Sequence, residues 1–296
     1  MQSCVRIRKE FTSLTDAERK RHIDTILEVS AEGGDFREDY EDLINEHFKL
    51  FDQRIHVKDN FLPWHRDYIL RYENLMRKVD CTFTVTYWDW SLDSREPFST
   101  GADNVWNSET GFGGDGEGAE NCVMSGPFES DTWSRVRPES PTDEQPDCLA
   151  RDFNERETLP REAEVMSALN IPVNNFHDFE ETVRGTLHNN VHCRISGTMC
   201  SEEAASAPEF FLHHTFIDKI WDDWQKKSSA HKNAYFPMVP NDMPGTDLKP
   251  AALMDLSNQP GGVMVEYEPF KPEEAIRKKL AGKKPFSYLV PCLTNR

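Results

Sequence analysis

Apolar positions recur at helical spacing in several stretches, separated by long polar connections. Residues 14–30 read as a helix. Thr15 suits its N-cap, Glu18 three residues on completes a capping box, and Ile23, Ile26 and Leu27 follow at helical spacing. The stripe Tyr40, Leu43, Ile44, His47, Phe48, Phe51 predicts a second helix over about 36–51. A third runs from about Leu62 to Val79, with the stripe His65, Ile69, Tyr72, Met76; Pro63 sits near its first turn, where the missing N–H costs nothing. Thr82-Phe83-Thr84-Val85-Thr86-Tyr87 is β-rich and predicts a short strand. From Ser91 to about Pro160, glycines at 111, 113, 114, 116 and 118 and prolines at 138, 141 and 146 predict long connecting structure. Helical patterning resumes at Arg161–Leu169, Phe176–Cys193 and Pro208–Lys226. Nine prolines and few periodic runs follow Ser228, and no internal repeat is present.

The chain has 296 residues, of which 34 are basic and 52 acidic, a formal net charge of −18. That balance argues against a nucleic-acid partner, whose binding needs a basic face. No run approaches the roughly 18 apolar residues of a membrane span. The start, Met1-Gln2-Ser3-Cys4, has no hydrophobic signal core, so the expectation is a cytosolic protein or one whose secretory signal was removed before this sequence begins. Seven cysteines, none in a C-x-x-C pair, are scattered singly, which favours disulfides and an oxidising, secretory compartment. Locality suggests Cys193–Cys200, Cys122–Cys148 and Cys4–Cys81. The odd count leaves at least one cysteine unpaired within the chain. No N-x-[ST] sequon is present. The segment 271–296 carries seven basic and two acidic residues, read as a solvated face or tail.

The placement of the ten histidines is the most informative feature. His188 and His192 stand at i and i+4, so on a helix both rings leave one face. His214 shares a helix face with Phe210, Ile217, Asp218 and Trp221, and His47 and His65 lie on the stripes above. Several buried imidazoles without partners would be costly. Convergence on metal resolves this, as helix bundles do with facing side chains. All-imidazole ligation suits copper, zinc, iron or nickel. Six such ligands without a thiolate or inward carboxylate fit two three-coordinate coppers better than one zinc. His22, His177 and His231 fit no pattern.

The motif His56, then Asn60-Phe61-Leu62-Pro63-Trp64-His65-Arg66, Tyr72-Glu73 and Tyr87-Trp88-Asp89-Trp90 resembles the first-copper half of the tyrosinases. His188-Asn189-Asn190-Val191-His192, Gly197-Thr198-Met199, Pro208-Glu209-Phe210-Phe211-Leu212-His213-His214 and Asp218-Lys219-Ile220-Trp221 resemble the second-copper half. The spacer, with Gly113-Gly114, Cys122-Val123, Gly126-Pro127-Phe128 and Cys148-Leu149, is similar to the animal branch. The resemblance spans about residues 4–225. It implies a mainly α fold: a four-helix bundle holding a dinuclear copper site, with long loops and a few short strands. Residues 1–227 would be the dicopper domain and 228–296 a proline-rich extension packed on or trailing it.

By position, the resemblance implies that His47, His56 and His65 hold one copper and His188, His192 and His214 the other. His213 neighbours the site. Phe210 would pack near the copper pair, and Asp218 would orient a ligand imidazole. Asn189 would hold a water that takes the phenolic proton, with Glu180 and Glu181 as candidates for the glutamate that helps it; Arg184 occupies one plausible alignment position. Ser201, thirteen residues before His214, stands where a bulky side chain can hinder the first copper in the family. Two departures stand out: Ala207-Pro208 replaces the usual Asp-Pro, and Arg54 stands where some relatives carry a cysteine crosslinked to the middle histidine. The implied activity is ortho-hydroxylation of monophenols and oxidation of o-diphenols to o-quinones. Its partners would be small phenolic substrates and O2, with no nucleic acid and no membrane. The alternatives are a catechol oxidase, a haemocyanin-like oxygen carrier and a metal-free structural protein.

Overall fold

The computed structural model describes residues 5–57, 59–92, 94–138, 145–236 and 242–269. The first helix, α1 (Asp16–Ser30), starts as its sequence dictates. Thr15 Oγ1 accepts the Glu18 N–H at 3.3 Å, and Glu18 Oε2 accepts the Thr15 N–H at 2.9 Å. Helix α2 (Arg37–Leu50) buries Tyr40, Leu43, Ile44 and His47. Helix α3 (Phe61–Met76) and, later in the chain, α7 (Phe210–Gln225) are buried on nearly every side, as expected of helices at the centre of a protein. They pack on each other through Phe211, whose ring stacks on Tyr72 at 3.5 Å and on Tyr68 at 5.5 Å.

The run expected as one helix over Phe176–Cys193 is three pieces. These are α5 (Phe176–Glu181), a π-helical segment Thr182–His188 and α6 (Asn189–Ile195). A second π segment, Phe51–Ile55, ends α2 and contains Arg54 at φ 76°. Segment Phe51–Ile55 leads directly into His56, and segment Thr182–His188 ends on His188; the extra residue in a π turn changes the direction of the side chains around it. Helix α4 (Glu162–Leu169) buries Val165 and Ala168 and packs against α7 and the Thr182–His188 segment.

Residues 82–87 are not the strand their composition suggests. Only Tyr87 pairs, through a bridge to Glu10. Side chains occupy the other ladder groups: Glu73 Oε1 accepts the Val85 N–H at 3.0 Å, and the Thr84 hydroxyl donates to the Ile7 carbonyl at 3.1 Å. The strands lie elsewhere. β1 (Val5–Arg8) pairs in parallel with β4 (Met264–Tyr267), Val5 opposite Met264 and Arg8 opposite Tyr267. β2 (Gly116–Glu117) and β3 (Cys122–Val123) form a small hairpin in the glycine-rich connection. Residues 242–269 return to the bundle: the Trp64 Nε1–H donates to the Pro244 carbonyl at 2.9 Å. Gly245 is required beside it, because at φ 73° a Cβ would lie 2.5 Å from Glu46 Oε1.

The disulfides Cys122–Cys148 and Cys193–Cys200 are both formed. The expected Cys4–Cys81 pair involves Cys4, outside the described residues, as are Cys292 and the basic segment 271–296. Among the described residues, no helix is long and apolar enough to cross a membrane.

His22 is a core residue, stacked on Phe83 at 4.6 Å. Burial lowers its pKa to about 3, against a weak opposing pull from Asp80. The unfolded chain takes this proton near pH 6.5, so stability present above that pH is lost as pH falls toward about 3. At pH 5 the loss from this one residue is about 2 kcal/mol. In urea unfolding at pH 7 and pH 5, His22→Phe is expected to lose about 2 kcal/mol less than the parent between the two. Equal losses would show that His22 is not the titrating group.

Candidate metal centre

Two groups of histidines meet in the middle of the bundle. His47 comes from α2, His56 from the turn after the first π segment, and His65 from α3. Their ring centroids are 5.1, 5.2 and 5.9 Å apart. His188 and His192 come from the second π segment and α6, His214 from α7. Their centroids are 4.4, 4.8 and 5.2 Å apart. The groups face each other, with His65 stacked on His214 at 4.4 Å. Burial holds His47, His65, His188 and His214 well below the usual histidine pKa and brings His192 to about 4. The rings are therefore neutral at pH 7, with lone pairs available.

Hydrogen bonds decide where those lone pairs point. The His192 Nδ1–H donates to the Met199 carbonyl at 2.6 Å, and the His188 Nδ1–H to Asn189 Oδ1 at 2.8 Å. Both Nε2 atoms are therefore acceptors. They lie 3.1 Å and 3.3 Å from His214 Nε2. A proton on His214 Nε2 satisfies one of them at most, whereas a cation satisfies all three. In the other group, the His65 Nδ1–H donates to the Phe61 carbonyl at 2.8 Å and the His56 Nδ1–H to the Phe51 carbonyl at 3.2 Å. Among the described residues, His65 Nε2 and both nitrogens of His47 are buried without a side-chain hydrogen-bond partner. In each group the donor atoms lie within 4.8 Å of one another. Neutral nitrogen donors without thiolate or carboxylate suit copper, so the residues present fit the metal.

His213 also reaches the second group. The Trp90 Nε1–H donates to its Nδ1 at 3.2 Å. Its own proton is therefore on Nε2, and no free lone pair faces the group. This favours His214 as the third donor. The orienting partners Trp90, Phe51, Phe61 and Met199 were not singled out from sequence. Three of them act through backbone carbonyls, which leave no compositional signal.

The remaining candidates fall in different places. Phe210 is buried, stacked on His214 at 4.0 Å. Ser201 donates to the Thr198 carbonyl at 2.8 Å and lines a pocket of about 460 Å³ over the histidines. Asn189 and Arg184 line it too. Glu180 is buried, which raises its pKa; one oxygen accepts from Arg184 Nε at 2.7 Å and the other has no partner among the described residues. Glu181 is exposed beside His177, 3.6 Å away. Asp218 does not orient a ligand imidazole. It accepts from Arg66 Nε at 2.5 Å, Arg8 Nη1 at 3.3 Å and the Tyr267 hydroxyl at 2.5 Å. Its face of α7 turns toward β1 and β4, since α7 packs against neighbours on nearly every side. Two residues after Ala207, Glu209 is a buried carboxylate, paired to both Nε and Nη2 of Arg151 at 2.7 and 3.0 Å.

Comparison with known proteins agrees with this geometry. Residues 37–227 match the family model described as the common central domain of tyrosinase. A tyrosinase of Streptomyces antibioticus is 32% identical over 279 residues, covering 84% of this chain and 96% of that protein. A grixazone synthase of Streptomyces griseus is 29% identical over 80% of this chain and 89% of its own length. In three dimensions, a polyphenol oxidase from Thermothelomyces thermophila aligns with a TM-score of 0.67 at 20% identity, over 90% of this chain and 89% of that one. A functional unit of octopus hemocyanin aligns at 0.57 and 17% identity, over 94% and 72%. With its two histidine groups at the centre of the matched region, the chain belongs to the tyrosinase family of type 3 copper oxidoreductases.

Proposed function

We propose that this chain is a phenol oxidase carrying two copper ions, one held by His47, His56 and His65 and the other by His188, His192 and His214. It hydroxylates monophenols at the ortho position and oxidises o-diphenols to o-quinones with O2. The observation that carries this reading is the pair of facing, unprotonated histidine groups at the floor of a pocket wide enough for a phenol. Bound there, the copper pair supplies O2 binding and electron transfer. The protein supplies orientation and proton handling. Backbone carbonyls of Phe51, Phe61 and Met199 fix three of the imidazoles. Phe210 excludes water from one side of the floor. Asn189, which lines the pocket, is the group that would hold a water to receive the phenolic proton; Glu180 lies behind Arg184, outside the pocket lining. Such proton transfer is typically worth about 10²–10⁴ in rate.

In this reading residues 1–227 form the dicopper domain and 228–296 its extension, whose described part packs on the bundle. The two disulfides support an oxidising, secretory setting. One observation favours a diphenolase-only enzyme: Glu180 is ion-paired to Arg184, which weakens it as a proton acceptor. Initial rates on tyramine and dopamine separate the two readings. Oxidation of tyramine after a catechol primer supports the hydroxylase; oxidation of dopamine alone supports the diphenolase. A small Ser201 leaves the pocket mouth open, so Ser201→Phe is expected to lower kcat/KM for both substrates by about tenfold. Unchanged rates would remove the open-mouth argument.

A further inference from the structure

We propose that Arg184 is a specificity-determining residue: its guanidinium receives the carboxylate of a phenol whose para side chain ends in one. The inference rests on the phenol-oxidase reading. Arg184 belongs to the π-helical segment Thr182–His188, whose wider turn puts it on the pocket side with His188 and Asn189. It lines that pocket together with His47 and His56 of one histidine group and His188 and His192 of the other, so it stands beside both.

The side chain is 26% exposed. Its Nε donates to Glu180 Oε1 at 2.7 Å, and Glu180 is fully buried. That bond fixes the guanidinium plane. It uses one of five N–H donors. The terminal nitrogens make no hydrogen bond among the described residues, and they form the fork that binds a carboxylate bidentately. A prealigned fork binds with little further loss of freedom.

The rest of the pocket argues for an anionic tail on an apolar ring. Phe51, Phe210 and Met199 line it with neutral imidazole faces. The lining carboxylate is Glu202, half-exposed, whose side chain makes no hydrogen bond among the described residues. Of the two charged side chains that line the pocket, Arg184 and Glu202, the oriented one is thus the cation. In a chain of net charge −18, an anion is drawn in only at short range, so recognition falls to this one fixed group.

Three catechols with different tails test this without depending on hydroxylation: dihydrocaffeate (anionic), ethylcatechol (neutral) and dopamine (cationic). For the copper-loaded protein, kcat/KM is expected to be about tenfold higher for dihydrocaffeate than for ethylcatechol, with dopamine lowest. Arg184→Gln is expected to remove that tenfold preference, and Arg184→Lys to keep most of it. If Arg184 only supports Glu180, Arg184→Gln lowers both rates together and leaves the ratio unchanged, which overturns the proposal. A parent ratio at or below one overturns it as well. If no catechol is oxidised, the phenol-oxidase reading fails instead. Calorimetric binding of phenylpropionate and phenylethylamine then decides on Arg184. Tighter binding of the acid, weakened about tenfold in Arg184→Gln, supports it; equal binding of the two overturns it.

Discussion

His214→Ala is expected to reduce copper from about two ions per chain to about one and to bring phenol oxidation down to background. The reason lies in the second histidine group. His188 and His192 present their lone pairs to the point that His214 Nε2 also faces, at 3.3 and 3.1 Å. Two imidazoles alone leave a copper open to loss, and O2 activation in this reading needs both ions. The rate loss should exceed the roughly 10–100-fold that removing an outer partner of a ligand costs. His214 also stacks between His65 and Phe210, so His214→Gln serves as the variant that keeps more of the packing. His213→Gln, by contrast, is expected to retain about two coppers, because His213 already accepts from Trp90 and turns no lone pair inward. Elemental analysis with oxygen uptake reads both outcomes. Two coppers in His214→Gln, or one in His213→Gln, would exchange the roles of these neighbours.

The helices that build the site were legible because their signals are local. The Thr15 and Glu18 capping box and the stripes of α2 and α3 place His47 and His65 without any tertiary information. The i, i+4 spacing of His188 and His192 survives the π segment, since α6 begins right after His188. What failed was non-local. The β-rich run 82–87 meets only one bridge, because Glu73 takes the Val85 N–H that a neighbouring strand would need. The β1–β4 pairing joins the two ends of the described chain, and nothing near Val5 announces Met264. The role of Asp218 was misread for another reason. Periodicity identifies one apolar face on a half-exposed helix, but α7 is buried on nearly every side, and spacing from His214 then says little about which neighbour a side chain meets.

That neighbour makes Asp218 the strongest stability test. Arg66 Nε, Arg8 Nη1 and the Tyr267 hydroxyl all converge on its carboxylate, and all four side chains are almost wholly buried. Glu73 answers the rest of the Arg8 charge. Burial alone would push its carboxyl up, but Arg8 and Arg6 beside it hold it below the usual carboxylate value. Arg66 also donates to the Leu253 carbonyl, so the cluster ties β1, α3, α7 and the returning segment 242–269 together. A buried ion cluster of this kind need not be more stable than an apolar one, but removing one member leaves a charge without its partner, typically at a cost of about 3–5 kcal/mol. Asp218→Ala is therefore expected to lower the unfolding free energy by about that amount in urea. It should also expose 242–269 to protease before the bundle, since Tyr267 loses its acceptor. Asp218→Asn keeps two hydrogen bonds but not the charge, and should fall between. Copper content in whatever fraction folds should stay near two per chain, because Asp218 touches no ligand histidine. A variant that folds with parental stability and loses copper would return Asp218 to the role its position beside His214 first suggested.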